Sequence, residues 1–397
     1  MVRTVTVVLL ALAGVGGASG REVGFKKVVL DRVFRAEGVA VGDVNRDGKL
    51  DVLVGDVWYE APDWTMHEVR PVGTYDGNTG YSNCFANFAQ DVNGDGWVDS
   101  IVIGMPGGPC LWYENPQNKP GHWKEHKVAD SACNETPVFL DLLGDGRPVL
   151  VFGVRPAGIM AWFSIPEDPT RPWNMHKIAA GPDAPGTQQF SHGLGVGDVD
   201  ADGRNDVLTT EGWWKAPRDR TQENWQFHPA QLGPACADML VYDVDGDGDN
   251  DVITSSAHNY GIWWFEQIGA HGQDARATGG QDALDTGVEF VQHEIFKDYS
   301  QPHAIRLVDL NGDGVMDLVT GKRHYAHNGN DPGGKDPAMM YWIELRRPQK
   351  GKVESIPHVF DDDSGVGTQF EVVDMNGDGR LDIVVSNKKG VHIFLQD

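Results

Sequence analysis

A short acidic loop returns seven times along this chain, and six of the copies read D-x-[D/N]-x-D-G-x-x-D. The copies begin at Asp43, Asp91, Asp141, Asp198, Asp243, Asp309 and Asp374, 45 to 66 residues apart. Each follows an apolar stretch such as VAVGDV and precedes another such as DVLVGD. Self-similarity at this period marks a repeat architecture, and units rich in β-branched and aromatic residues are small sheets.

A weaker pattern follows each loop: an aromatic strand, a Pro-containing turn, then a strand of the form aromatic-x-x-His-x-aliphatic. It reads WYEAPDWTMHEV from Trp58, WYENP…HWKEHKV from Trp112 and WFSIPEDPTRPWNMHKI from Trp162. Each unit thus supplies four strands, which predicts an all-β, seven-bladed propeller over residues 21–397. The last repeat ends at VHIFLQD with three strands, and FKKVVLD (Phe25 to Asp31) supplies a fourth. The N-terminal strand is therefore expected to close the ring and remove both sheet edges. The recurring tryptophans and His67, His126, His176, His293 and His358 are expected to pack between blades. An insertion at 267–289, rich in Gly, Ala and Asp, is expected to be a mobile loop.

In the first loop Asp43, Asn45, Asp47 and Asp51 take positions 1, 3, 5 and 9, and Gly48 takes position 6, where the chain must turn sharply. Alternating oxygen donors that converge on one point suit Ca²⁺ better than a softer ion. Position 9 closes the loop with Asp, and strands flank it, which separates it from an EF-hand. The pattern repeats at Asp91/Asn93/Asp95/Asp99, Asp198/Asp200/Asp202/Asp206, Asp243/Asp245/Asp247/Asp251, Asp309/Asn311/Asp313/Asp317 and Asp374/Asn376/Asp378/Asp382. The copy at Asp141 has Leu143 and Val149 at positions 3 and 9, so it is expected to keep the turn and hold no ion.

The chain opens MVRTVTVVLLALAGVGGASG: Arg3, an apolar run from Val5 to Val15, then small residues. This reads as a signal peptide over residues 1–20, too short to span a bilayer, and predicts a secreted or periplasmic protein. The net charge of −25 argues against nucleic acid and anionic membrane surfaces as partners. Six Ca²⁺ would offset about half of it. Cys84, Cys110, Cys133 and Cys236 allow three full disulfide pairings in an oxidising compartment. Oligomeric state is not legible.

In a four-stranded meander the ion loop joins strands one and two. The two-to-three and four-to-one connections share the opposite rim. Non-repeating His192, His258, His303, His324 and His327 all fall on that rim, with Glu135, Glu211, Asp238, Lys322, Arg323 and Asp331. His192, His258 and His303 could ligate a divalent ion (Mg²⁺, Zn²⁺ or Ca²⁺) with Glu211 or Asp238. One histidine could instead act as a general base. Lys322 and Arg323 are placed to stabilise an oxyanion, and Trp213, Trp214 and Tyr260 to stack on a sugar ring. No phosphate-cradling Gly loop and no G-x-S-x-G elbow is present.

The loops and strands resemble the FG-GAP/VCBS repeat family, whose propellers bind Ca²⁺ in D-x-D-x-D-G loops. The likeness runs from about residue 40 to the C-terminus and is specific at six of seven units. The family includes adhesion domains, lectin-like modules and a few enzymes, so it names no activity by itself. FSHGLGVGDVDADGRNDVLTTEGWW and TGKRHYAHNGNDPGGKDP are similar to the propeller of the aldos-2-ulose dehydratase (1,5-anhydro-D-fructose dehydratase) family. Those enzymes eliminate water from keto-sugars and hold a metal ion and a histidine base in the propeller funnel. The resemblance implies His192, His258, His303 and His327 as base or ligand. A cupin region does not follow the last repeat, so an isomerase step carried there is not expected. The residues and the resemblance together predict a carbohydrate lyase or dehydratase, with metal-assisted β-elimination on a keto-sugar or keto-glycoside. Its catalytic set is His192, His303, His327 and Arg323, and its substrate contacts are Glu211, Trp213, Asp238, Tyr260, Lys322 and His324. The alternative is a non-catalytic propeller that binds carbohydrate or protein.

Overall fold

The computed structural model describes residues 20–234, 237–268 and 288–397. Residues 1–19 of the signal-peptide reading (1–20), Cys236 and most of the insertion lie outside them. Every repeat unit is an antiparallel meander. In the first, Ala40–Gly42, Asp51–Val54, Val57–Glu60 and Thr65–Glu68 pair in order. The second strands read as unbroken apolar runs because both of their faces are covered. Asp51–Val54 and Asp382–Asn387 are buried at every residue. The outermost strands, such as Thr65–Glu68, are mostly exposed.

The expectation of seven separate blades is corrected here. Five four-stranded sheets stand apart, and the strands between residues 194 and 300 form one eight-stranded sheet. The join is a short parallel ladder in which Leu194 pairs with Asp238 and Gly195 with Met239. Glycine is the physical reason. A Cβ on Gly195 would collide with the Met239 backbone, and one on Gly197 with the Val241 side chain. Two innermost strands without those side chains approach closely enough to form a ladder, whereas neighbouring units elsewhere are joined by isolated backbone bonds.

Phe25–Asp31 pairs antiparallel with Gly390–Gln396, from Phe25 opposite Gln396 to Asp31 opposite Val391. The sheet it completes packs against the first one. Residues from Ala36 to Val69 share one hydrophobic cluster with Val366 to Phe394, and the Thr368 N–H donates to the Glu37 carbonyl at 3.0 Å. Other clusters likewise lie between consecutive sheets.

The recurring tryptophans lie in the clusters between consecutive sheets, as expected, and each histidine stacks on the tryptophan of its own blade. Each lies cross-strand on its tryptophan: Trp58 on His67, Trp112 on His126, Trp162 on His176, Trp213 on His228, Trp264 on His293 and Trp342 on His358. Ring centroids are 3.7 to 4.6 Å apart. In the closing sheet that register is held by Ile393 opposite Val28, and the next residue, Phe394, lies opposite Lys27, whose ammonium sits over its ring. Cys84, Cys110 and Cys133 are free, buried thiols.

Candidate functional site

The ion loops and the rim present two different kinds of site. In each loop the position-1 carboxylate is the hub of the turn. Asp43 accepts from the N–H groups of Asp47 and Gly48 at 3.0 Å each. The position-9 carboxylate ties the loop to the sheet. Asp51 accepts from Val44 N–H at 2.9 Å and from Ala61 N–H at 2.8 Å, and Asp99, Asp206 and Asp251 repeat the pair of bonds. Burial pushes these carboxyls up, Asp51 to about 6, Asp99, Asp251 and Asp317 to about 7, and Asp206 to about 8. Oxygens of Asp198, Asp200 and Asp206 lie within 4.8 Å of one another, as do those of Asp243, Asp245 and Asp251. Asp200 Oδ1 is buried without a hydrogen-bond partner. A hard cation takes such a donor set, so the residues present fit one.

The expected cage of four converging donors is not what the structure draws in every loop. Among the described residues three carboxylates gather only in the loops at Asp198 and Asp243, and their position-5 residues, Asp202 and Asp247, stand outside the group. Asp202 pairs with Arg204 and Lys215, and Asp247 Oδ1 accepts from Asp249 N–H at 2.9 Å. In the other four loops, as also at Asp245 and Asp202, the side chains at positions 3 and 5 accept from the turn itself. Asn93 Oδ1 accepts from Asp95 N–H at 3.0 Å while its Nδ2 donates to Asp95 Oδ2 at 3.1 Å. Asn311 bonds Asp313 the same way, at 2.9 and 3.3 Å, and Asp313 Oδ1 accepts from Val315 N–H at 2.8 Å. Asn376 Oδ1 accepts from Asp378 N–H at 2.9 Å, and Asp378 Oδ2 pairs with Arg380 at 2.6 Å. Asn45 likewise accepts from Asp47 N–H, and Asp47 pairs with Lys49. The physical reason is local. A tight turn aims several backbone N–H groups inward, and the nearest side-chain oxygens accept from them. The copy at Asp141 keeps the turn, with Asp141 accepting from Gly144 and Gly146 N–H.

At the opposite rim His192 and His258, from separate connections, converge with His303, from the strand Pro302–Val308, with ligand nitrogens within 4.8 Å of one another. His258 Nε2 is 3.1 Å from His192 Nε2. Beneath them lies Glu135, whose Oε2 is 3.4 Å from His192 Nε2 and 3.3 Å from His303 Nε2. Arg323 Nη1 donates to that Glu135 oxygen at 2.7 Å and to His303 Nε2 at 2.7 Å. On the guanidinium's other side Glu37 Oε2 is 4.0 Å from Nε. The rings of Tyr81 and Phe85 pack against the guanidinium.

Electrostatics set the charge states. Burial raises the Glu135 carboxyl, but the Arg323 guanidinium with the His192 and His303 rings overrides it and holds the group well below the usual range. Burial pushes His258 down to about 4, reinforced by His192 and Arg323, and pushes His303 well below its ordinary value. Both rings are therefore neutral near pH 7, with lone pairs available. A carboxylate with neutral imidazoles is a donor set for a borderline divalent ion. Ligation by His303 Nε2 requires Arg323 to turn its N–H groups wholly to the carboxylates.

A loop over residues 321–337 covers this cluster. His327 Nδ1 is 3.0 Å from Asp331 Oδ1, and Asp331 Oδ2 is 3.2 Å from His258 Nδ1. Some left-handed residues lie here, as others do in turns elsewhere: Tyr325, His327 and Asn328 have φ of 58°, 46° and 58°, Gln301 has 57°, and Phe190, just before His192, has 65°. Non-glycine residues hold such angles only where surrounding structure compels them.

Several residues named from the sequence stand elsewhere. Trp213, 2% exposed, and Trp214 are core residues, stacked on His228 and packed on Phe227. Neither offers a sugar platform. Glu211 is exposed, and the carboxylate under the imidazoles is Glu135 instead. Asp238 pairs with Arg306 at 2.6 Å in a cavity lined by the innermost strands. Lys322 is buried and donates to Ser300 Oγ, Gln301 Oε1 and the Gly333 carbonyl, so it clamps the loop and faces no oxyanion. Burial pushes it down to about 8. His324 is pushed to about 4 by burial and the nearby lysines, and its ring neighbour is Tyr325. His303 is wholly buried, which removes it as a base that meets substrate. Tyr260 stays exposed, 3.3 Å from Asp336. The sequence places Glu135 on the rim but does not mark it as a ligand, and it misses Glu37; the signal for both is their place in connections that break the repeat.

Residues 243–320 match the FG-GAP-like repeat family. No curated protein sequence matches the chain. Among solved structures it is similar to an Agrocybe aegerita lectin that recognises non-reducing terminal N-acetylglucosamine, at 16% identity and TM-score 0.44, covering 86% of this chain and 81% of that one. It is similar to the exotype rhamnogalacturonan lyase YesX, at 14% identity and TM-score 0.48, covering 95% and 75%. It is also similar to the Bacillus licheniformis rhamnogalacturonan lyase PL11, at 13% identity and TM-score 0.43, covering 93% and 75%. Among the described residues no helix is long and apolar enough to cross a membrane. The loop, its flanking strands and the matched segment agree: this is an all-β propeller that carries FG-GAP-like repeat sequence.

Proposed function

We propose that the rim is the active site of a carbohydrate lyase that eliminates water or an alcohol from a keto-sugar or keto-glycoside. The observation that supports it most is the convergence of His192, His258 and His303 over the buried Glu135–Arg323 pair. His192, His258, His303 and Glu135 would hold a divalent ion, which would supply Lewis acidity to a ketone oxygen and so acidify the adjacent C–H.

The chain's own residues account for the proton. His327, half exposed beside Asp331, takes the proton from the carbon next to the ketone. That C–H pair becomes the C=C bond as the β C–O bond breaks. The leaving oxygen recovers the proton from the His327 imidazolium, giving an enone plus water or alcohol. Arg323 and Glu135 keep the imidazoles in place, and burial of the pair excludes water beneath them. The core positions of Trp213 and Trp214 weaken the alternative of a stacking platform for passive sugar binding. In the six complete loops we propose Ca²⁺ as a structural ion, with the side chains at positions 3 and 5 turning from their loop partners to meet it.

The test is direct. Protein loaded in turn with Zn²⁺, Mg²⁺ and Ca²⁺ is incubated with 1,5-anhydrofructose and 3-keto-glycosides, and ultraviolet absorbance reports the enone. Absorbance that grows with wild type and is lost in His192→Ala is expected. Silence with every metal and both substrates would overturn the reading.

A further inference from the structure

One carboxylate touches both halves of the proposed machinery. Asp331 Oδ2 is 3.2 Å from His258 Nδ1, and its Oδ1 is 3.0 Å from His327 Nδ1. Gln301 Nε2 donates to Oδ2 at 2.8 Å. The side chain is only 14% exposed. An ionised carboxylate accepts and never donates, so each ring must present Nδ1–H to it. His258 then carries its lone pair on Nε2, the atom 3.1 Å from His192, and His327 carries its lone pair on the nitrogen away from Asp331.

We propose that Asp331 is a positioning residue that fixes the tautomer of both His258 and His327, holding one as a metal ligand and the other as a base. The metal-ligand half rests on the functional reading above. The loop that carries Asp331 is built to hold it still. Lys322 binds the Gly333 carbonyl, and the His327 N–H donates to Tyr81 OH at 3.0 Å. Gly333 has φ of 65°, and a Cβ there would collide with Ser300 and Tyr260, so only glycine lets the loop seat at this depth. A hydrogen bond from the far nitrogen of a ligating imidazole to a carboxylate orients the ring and raises its basicity, and its loss costs about 10–100-fold in metal affinity. The same carboxylate stabilises the imidazolium that forms when His327 takes a proton.

The experiment compares wild type with Asp331→Asn and with His327→Gln. Nitrogen-15 spectra of the histidine rings should show Nδ1–H on His258 and His327 in wild type and a tautomer mixture in Asp331→Asn. Zn²⁺ competition with a chromophoric chelator should show rim affinity weakened about 10–100-fold in Asp331→Asn and unchanged in His327→Gln. Nε2–H on His258 or His327 in wild type overturns the proposal. Equal zinc affinity in wild type and Asp331→Asn overturns its ligand half. Expected tautomers in a wild type that binds no rim zinc would sink the functional reading and leave the Asp331 assignment standing. A thermal midpoint within a few degrees of wild type separates these effects from unfolding.

Discussion

The two ends of the propeller are built by opposite rules. At the ion-loop end six copies of one motif repeat the same turn, down to a position-9 carboxylate that accepts from two backbone N–H groups. At the rim no two connections are alike, and side chains from distant positions meet at one point. Repetition there serves the ring's own stability, and departure from repetition makes a place where chemistry can be done. Regularity in such a chain therefore locates the scaffold, and exceptions locate the site.

The largest effect that would sharpen this contrast lies in activity. His327→Gln should lower turnover of 1,5-anhydrofructose by about 10²–10⁴-fold, the usual worth of a positioned acid–base group, with an unchanged urea midpoint. A lowered midpoint without lost turnover would reverse the division between the two ends. Next comes Arg323→Ala, which leaves Glu135 buried without its guanidinium partner. It should cost about 3–5 kcal/mol in urea unfolding, showing that the rim too rests on a structural pair. Trp112→Ala, fully buried under His126, should cost a similar 3–5 kcal/mol without changing rim metal affinity.

A pH series separates the loops from the rim. The position-9 carboxyls are raised in the fold, so the folded protein binds their protons more tightly than the unfolded chain does. Stability from this source is present below the ordinary Asp value and is lost as pH rises from about 4 to about 7 or 8. Protein held in EDTA should therefore melt at lower temperature at pH 8 than at pH 5. Added Ca²⁺, which binds the ionised form, should remove or reverse that slope. An identical slope with and without Ca²⁺ would argue that the loops are turns alone. The smallest effect is His67→Ala, a half-buried ring on buried Trp58, at about 0.5–1.5 kcal/mol.

Much of the fold was legible because strand patterning and turn glycines repeat, and repetition can be read without a structure. The closing pair of Phe25–Asp31 with Gly390–Gln396 was visible as a missing strand at one end and a spare one at the other. The fused sheet was not visible. Gly42 precedes the first loop as Gly197 precedes the fourth, and only packing shows that Gly195 and Gly197 admit a neighbouring strand. Spacing alone also could not tell that Asn93, Asn311 and Asn376 spend their carbonyls on the turn, because an amide oxygen serves an N–H as readily as a cation. At the rim the histidines stood out because they broke the pattern. Trp213 was misread for the converse reason: it occupies the same register as Trp58 and Trp112, which marks it as core. Choosing Glu135 over Glu211 needed the third dimension, since two acidic residues in irregular connections look alike in one.

The pairing of Phe25–Asp31 with Gly390–Gln396 has a bearing on how the chain is made. A strand synthesised early must wait for one synthesised far later before it finds its neighbour. Until then the nascent chain exposes an unmatched ladder, a template for self-association. Export before collapse, or a holding chaperone, would spare the cell that hazard.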